Sequence, residues 1–338
     1  MKENSSDITD MQSLGILKYS LMEPWFLRHD SSPWIGHSPF GRMLVAELKP
    51  GILVELGTHW GNSYFTFCQA VCEFSLSTKC FSVDSWEGDP QAGFYNDEIY
   101  DYVSKINRDN FSSFSTLMRM TFNEAVDDFE DESIDLLHID GFHSHKAVSE
   151  DFYTWLPKVK KGGFILLHDT NEYQEGFGVN RFWNEIKLNA DGAHLFRHSH
   201  GLGVWRKPGG DALSSEIISS LLRPNSVIAE RIDAFCTALG QGQQQKSMLI
   251  LKEQSLSVMQ AELLGLQTQI SNLINQNNIL QAVADEHAKL SVEFKKVLSE
   301  YNKLLSEYNK LLSSRSWRVT MPLRAVGRFV REKFVNKE

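Results

Sequence analysis

Val54-Glu55-Leu56-Gly57-Thr58-His59-Trp60-Gly61 is the stretch that decides the fold of this chain. An apolar run ends in an acid and then a glycine turn. Two later stretches repeat that logic: Phe81-Ser82-Val83-Asp84 and Leu137-His138-Ile139-Asp140-Gly141-Phe142-His143. Each reads as a short buried strand that delivers an acid or a glycine to its carboxyl end. In an open parallel α/β sheet, ligands bind at that edge. Gly57 and Gly61 let the backbone turn sharply and approach a ligand closely. His59 stands where a dinucleotide fingerprint has its middle glycine, which argues against NAD and a bound pyrophosphate. Asp84 lies 29 residues after Glu55. Its two carboxylate oxygens suit the paired hydroxyls of a ribose, and Ser85 and Trp86 follow it to line a base pocket. The competing readings are a helix cap for Asp84 and a purely structural carboxylate for Glu55.

Outward from these motifs, the chain alternates short apolar runs with helical stretches, the pattern of a βαβ domain. Strands are expected at Ile52–Leu56, Cys80–Val83, Thr116–Thr121, Ile134–Ile139, Phe164–Leu167, His194–Arg197 and Leu202–Arg206. Helices are expected at Ser63–Phe74, Asn123–Phe129, His145–Leu156 and Val179–Leu188. Five regions follow: an N-terminal cap or lid over 1–40, the α/β domain over 41–210, a helical connector over 211–250, a coiled coil over 251–313 and a basic tail over 314–338. The connector reads as short helical pieces ending in the Gln-rich stretch Gly240 to Gln245. The N-terminal segment and Glu87 to Phe114 are the expected mobile elements, with Trp25, Trp34, Trp86, Tyr95 and Tyr100 as candidates for stacking on sugar faces.

The net charge of -9 argues against general nucleic-acid binding. Met1 to Gln12 is polar, without the apolar core of a signal peptide, and no apolar run reaches membrane-span length. Cys68, Cys72, Cys80 and Cys236 have no metal or disulfide spacing, and Cys68 and Cys72 read as buried reduced thiols. These signs point to a cytoplasmic location.

From Leu256 to Leu312 apolar residues recur at alternating steps of three and four, which indicates a coiled coil and hence a homo-oligomer. Asn277 falls at an inward position, and Ser299 to Leu305 (SEYNKLL) is copied exactly in Ser306 to Leu312. A helix packed back on the core is the plainer alternative. The tail from Arg315 to Glu338 carries seven Lys/Arg against two Glu among spaced apolar residues. Such a basic amphipathic segment suits an anionic membrane surface or an acidic partner, or it caps the coil.

Together these motifs resemble the class I S-adenosylmethionine-dependent methyltransferases, and within them a bacterial sugar and small-molecule O-methyltransferase group. The resemblance runs from Asp84 through Glu87-Gly88-Asp89-Pro90-Gln91-Ala92-Gly93-Phe94-Tyr95. It continues through His138 to His143, Asp151 to Pro157, and His168-Asp169-Thr170-Asn171, ending near His200-Gly201-Leu202-Gly203. It implies a doubly wound, seven-stranded, mostly parallel sheet with a reversed last strand. It also implies S-adenosylmethionine over Gly57–Gly61, with Glu55, Gly57, Thr58, Gly61, Ser63, Asp84, Ser85 and Trp86 as the contacts.

Methyl transfer to a sugar hydroxyl needs help at the acceptor, a very weak acid. A divalent cation lowers its pKa and a histidine removes its proton. Asp140 and Asp169 end two strands that are neighbours in this topology, and two hard carboxylates suit Mg²⁺. His168 is the candidate third ligand, with Asn171 as the other flanking choice. His143 is the candidate base, against the plainer reading of a helix cap. His145 and His138 read as structural. The expected activity is methylation of a hydroxyl on a bacterial surface polysaccharide or its lipid-linked precursor. A segment around Ser314 to Arg324 resembles one found after coiled coils in polysaccharide-assembly proteins, including glycosyltransferases, which makes such a protein an expected partner. The alternatives are methylation of a small natural product, and a non-catalytic coiled-coil scaffold that sets glycan chain length.

Overall fold

The computed structural model describes residues 15–21, 32–89, 93–94, 96–224 and 226–314. Trp25, Tyr95 and the basic tail from Arg315 lie outside the described residues. Among the described residues nine strands appear in chain order: β1 (Ile52–Leu56), β2 (Lys79–Asp84), β3 (Gly88–Asp89), β4 (Gly93–Phe94), β5 (Ser115–Arg119), β6 (Ile134–Ile139), β7 (Val159–His168), β8 (Gly192–Phe196) and β9 (Leu202–Arg206). The α-helices are α1 (Ser38–Leu48), α2 (Asn62–Glu73), α3 (Asp97–Asn110), α4 (Phe122–Ala125), α5 (His145–Trp155), α6 (Val179–Ile186), α7 (Glu216–Leu221) and α8 (Val227–Ser313).

Seven strands form one sheet in the order β5-β2-β1-β6-β7-β9-β8. β9 runs antiparallel to both β7 and β8, and the other pairings are parallel. The chain winds outward from β1 to β2 and β5, then returns to place β6 on the other side of β1. The switch point therefore falls between β1 and β6, where a crevice opens at the strand carboxyl ends. Leu53, Val54 and Leu56 of β1 and Leu136 and Leu137 of β6 are fully buried, as strands covered on both faces must be. One apolar layer joins the sheet to α1, α2, α7 and the first turns of α8; the other joins it to α5 and α6.

One expectation is corrected at Cys72, and two segments gain detail. The stretch from Glu87 to Phe114, named as a mobile element, contains α3. Asn96 caps that helix by accepting the Glu98 backbone N–H at 3.0 Å, and Ile99 and Val103, four apart, are buried on one side of it. Within the expected N-terminal lid, Trp34, Ile35 and His37 are buried in a 3-10 turn (Pro33–His37) that leads into α1, so this part is core. Cys72 is exposed in the last turn of α2, while Cys68, Cys80 and Cys236 are buried thiols.

The expected connector also differs. After α7, one helix runs unbroken from Val227 through the Gln-rich stretch to Ser313. Ala229, Ile232, Cys236, Gly240 and Ser247 are its buried residues, and their spacing of three, four or seven marks one helix face. The chain divides into two compact units, the second beginning at Leu256. In that unit the apolar positions Leu256, Met259, Leu263, Leu266, Ile270 and Leu273 are all exposed. Among the described residues no helix is long and apolar enough to cross a membrane.

Gly57 sits at the switch point with φ +88, and a Cβ there would meet the Asp140 carbonyl oxygen at 2.1 Å. Both the left-handed backbone and that close approach require glycine. Gly57→Ala is expected to cost about 2 kcal/mol or more of unfolding free energy, read as a lower urea midpoint with an unchanged slope.

Candidate active site

The switch point opens a cleft of about 680 Å³, within the range of small-molecule sites. Gly57, Thr58, Ser63, Asp84 and Ser85 line one part of it, and Asp140, His143, His168 and Asp169 line another. Asp84, at the end of β2, organises the first part. Its Oδ2 accepts the backbone N–H groups of Thr58 and His59 at 2.8 and 2.9 Å, and its Oδ1 accepts that of Trp86 at 2.7 Å. The carboxylate thus ties the glycine loop to the neighbouring strand. Oδ2 is filled by its two N–H donors, while Oδ1 keeps acceptor capacity for one further donor such as a ribose hydroxyl.

Three predicted cofactor contacts do not line the cleft. Gly61 caps α2 with φ +85 against the Phe65 ring. Trp86 is buried, donating its indole N–H to the His59 carbonyl at 3.0 Å. Glu55 is fully buried. The Trp34 indole N–H donates to His138 Nε2 at 3.1 Å, which leaves His138 Nδ1 to donate to Glu55 Oε2 at 2.8 Å. Burial pushes the Glu55 carboxyl above its usual range, outweighing the opposing His138 hydrogen bond. His138 therefore links the Trp34 wall of the cleft to the end of β1, a more specific role than core packing.

The charged groups converge at the ends of β6 and β7. His143 Nε2 lies 2.8 Å from Asp169 Oδ2 and 3.7 Å from Asp140 Oδ1. His168 Nδ1 lies 3.3 Å from Asp140 Oδ1 and 3.2 Å from Asp169 Oδ2. Asp169 takes a left-handed backbone, φ +58, which Asp tolerates better than most residues. Local structure aims the rest. Ser144 caps α5 by accepting the Ala147 N–H at 3.2 Å, and the His143 ring stacks on Phe177 at 4.9 Å. His145, the first residue of α5, pairs outward with Glu185 at 3.0 Å.

Burial opposes charge on all four groups, and mutual pairing overrides it. His143 is raised to about 9 because hydrogen bonds to Asp140 and Asp169 outweigh its desolvation. Against the same cost, Asp169 and Asp140 hold His168 well above the ordinary histidine value. Both carboxyls are held below the usual range despite burial, with the charge of His168 as the leading favourable cause.

Asp140, His143 and Asp169 each offer one ligand atom, all within 4.8 Å of one another. The two carboxylate oxygens are hard donors suited to a divalent cation, and the imidazole beside them is placed to act on a hydroxyl bound there. His168 stands beside this group with Nδ1 toward both carboxylates, while its Nε2 is buried without a partner. Asn171 turns away, donating to the Arg197 carbonyl at 2.9 Å. His200 joins the site from the β8–β9 turn, 3.4 Å from Asp169 Oδ1 and 3.1 Å from Glu172 Oε2. Sequence reasoning gave His200 no role. Its signal was topological: β8 runs parallel to β7, so the turn after it lies at the same sheet edge.

A raised histidine stabilises the fold below its unfolded pKa, and that contribution is lost as pH rises through the folded value. Metal-free protein should therefore lose stability between about 6.5 and 9 as His143 gives up its proton. Chemical denaturation across this window should show the fall, and His143→Gln should flatten it.

Residues 54–170 match the family described as methyltransferase domain. A protein of Sinorhizobium fredii, the uncharacterized protein y4gI, is 44% identical over 208 residues, which is 61% of this chain and 23% of the relative. The chain thus spans about a quarter of that relative's length. Similar solved structures include an O-methyltransferase from Bacillus cereus in complex with SAH (17% identity, 61% of this chain and 92% of that one, TM-score 0.39). Another is the O-methyltransferase TomG from Streptomyces achromogenes in complex with SAM (12% identity, 62% and 100%, TM-score 0.40). A third is a methyltransferase from Geobacter sulfurreducens (12% identity, 62% and 92%, TM-score 0.39). Likeness at this level says nothing about substrate. The segment from Val54 to Thr170, which holds the whole Asp140–His143–His168–Asp169 cluster, matches the methyltransferase domain family, and the sheet that carries it is seven-stranded and mostly parallel with β9 reversed, as expected from the sequence.

Proposed function

We propose that this chain is an S-adenosylmethionine-dependent O-methyltransferase, assisted by a divalent cation such as Mg²⁺, that methylates a sugar hydroxyl. The observation that carries the reading is the shared cleft. Asp84 and the Gly57–Thr58 turn stand on one side, and the paired carboxylates with His143 stand on the other. A methyl donor and an acceptor must meet in one such space. Thr58, Ser63, Asp84 and Ser85 hold the nucleoside and its amino-acid arm. Asp140 and Asp169, with His168 beside them, hold the cation. That ion would supply Lewis acidity that lowers the pKa of an acceptor hydroxyl. His143 Nε2 takes the hydroxyl proton as the methyl group moves from sulfur to oxygen. To act as a base His143 must first be neutral, and it is the two carboxylates that keep it protonated in the metal-free protein. Neutralising those carboxylates therefore frees the base.

The cluster suits a substrate with two adjacent oxygens, such as a vicinal diol. A bacterial surface polysaccharide or its lipid-linked precursor is the proposed source, a small natural product the alternative. The exposed apolar series on α8 from Leu256 supports self-association of the chain as a coiled coil. Membrane docking through the tail and pairing with a glycosyltransferase are proposals drawn from the sequence of the tail.

Calorimetric titration with S-adenosylhomocysteine tests the cofactor side. Micromolar binding, lost in Asp84→Ala, is expected; no binding by the wild-type chain would overturn the reading. On the acceptor side, Asp140→Asn should abolish both Mn²⁺ binding and methyl transfer. His143→Gln should keep much of the cation affinity while lowering kcat about 10²-fold or more. For the helix, Leu266→Glu with Leu273→Glu should reduce the sedimentation mass to that of a monomer, and an unchanged mass would remove the coiled-coil proposal.

A further inference from the structure

The first turns of α8 pack directly behind the cleft. Gly240 meets the 3-10 turn there: a Cβ on it would fall 1.8 Å from the Gly36 carbonyl oxygen, so the two backbones are in contact. One turn on, Gln244 donates to the Pro33 carbonyl at 3.4 Å. One turn back, the Thr237 hydroxyl lies 3.0 Å from His198 Nδ1 and 3.1 Å from Asp233 Oδ1. Asp233 also holds His194 at 2.8 Å. The far nitrogen of His198 donates to that same Gly36 carbonyl at 3.0 Å. Two side chains of α8, Thr237 and Gln244, and one missing side chain thus converge on two short segments, Pro33–His37 and His198–His200.

Those two segments touch the reactive cluster. Fully buried His37 donates from Nε2 to the Ser199 carbonyl at 3.1 Å, which joins one segment to the other. Its ring meets His198 at 4.5 Å and the edge of His168 at 5.6 Å. Ser199 is followed by His200, whose Nδ1 faces Asp169. From α8 the path runs from Thr237 or Gly240 to His198 or Gly36, then to Asp169 either through His37 and His168 or along Ser199 to His200, each step a contact or a chain bond. Outer partners of this kind fix the orientation of the groups that do chemistry.

We propose that the base of α8 is a positioning element of the active site: Thr237 and Gly240 set the place of His168 and His200 against Asp169. The proposal rests on reading Asp140, His143 and Asp169 as the reactive centre. It makes Thr237 and Gly240 positioning residues, since neither touches the cleft.

The test uses the full chain labelled with ¹⁵N in its histidine rings, with His168→Gln and His200→Gln to assign the imidazole signals. Thr237→Val keeps the shape and removes the hydroxyl; Gly240→Ala forces the two backbones apart; Thr237→Ser restores the hydroxyl. In metal-free protein, Thr237→Val and Gly240→Ala should move the signals of His168 and His200 as well as that of His198, and Thr237→Ser should bring them back. Mn²⁺ affinity, read by electron paramagnetic resonance, should fall about tenfold in the first two variants. A purely structural role would lower the thermal midpoint and leave these readouts alone. If only His198 moves, with His168, His200 and Mn²⁺ affinity as in the wild type, the proposal is overturned. If Gly240→Ala does not fold, Thr237→Val decides. If the wild-type chain binds no Mn²⁺, the cation reading fails by itself, and the imidazole signals still decide this one.

Discussion

Two carboxylates brought together in a largely buried place are the constraint on which the site depends. Asp140 and Asp169 end adjacent strands, and like charges so placed repel in a poorly solvated setting. The fold meets that cost with positive partners rather than with solvent. His143 and His168 each reach both acids, and His200 reaches Asp169 from the other side. Removing one partner from such a set leaves an uncompensated buried charge, which is more costly than never burying the pair. The metal-free site is therefore a closed electrostatic unit. A cation would take over the part that the imidazolium groups play.

The same logic explains the placement of Glu55. A carboxylate at the end of the central strand, open to the cleft, would add a third negative charge beside Asp140. It instead turns inward onto His138, and burial raises its pKa, which favours the neutral form. Among the described residues that line the cleft, Asp84 is the one acid outside the Asp140–Asp169 pair, and three acceptor positions on its oxygens are taken by backbone N–H groups. The acids of the cleft thus fall into two groups, Asp84 at the end of β2 and Asp140 with Asp169 at the ends of β6 and β7.

Much of this was legible in the chain because strands end where apolar runs meet acids and glycines. β1, β6 and β9 have the bounds expected from the sequence, and the sheet order follows from a winding that reverses at Gly57. Period-two and period-four signals of this kind are local. What escaped were features set by tertiary contact. Glu55 reads the same whether its carboxylate faces a ligand or a histidine 83 residues away. Trp34 and His37 look like part of a polar, aromatic leader, and only tertiary packing, of Trp34 on Phe67 and His138 and of His37 on the β8–β9 turn, makes them core. Cys68 and Cys72 share a helix face by spacing, yet only the first is buried.

The Gln-rich stretch is the most instructive misreading. Gly240 and Gly242 each weaken a helix by about 1 kcal/mol relative to alanine, and glutamines in a row suggest a solvated linker. Propensity alone therefore argues for a break. The helix persists because its buried face supplies what propensity lacks: Ile232 and Cys236 enter the core beside α1 and α2, and Gly240 admits the Gly36 backbone. The two glycines can be told apart on this basis. Gly242 has open space where a side chain would stand, while Gly240 has a carbonyl oxygen there. A glycine kept in a helix at such a cost, at the one point where another backbone crosses it, marks contact rather than flexibility. The helix that reads as a tether is, over its first turns, a wall of the domain it leaves.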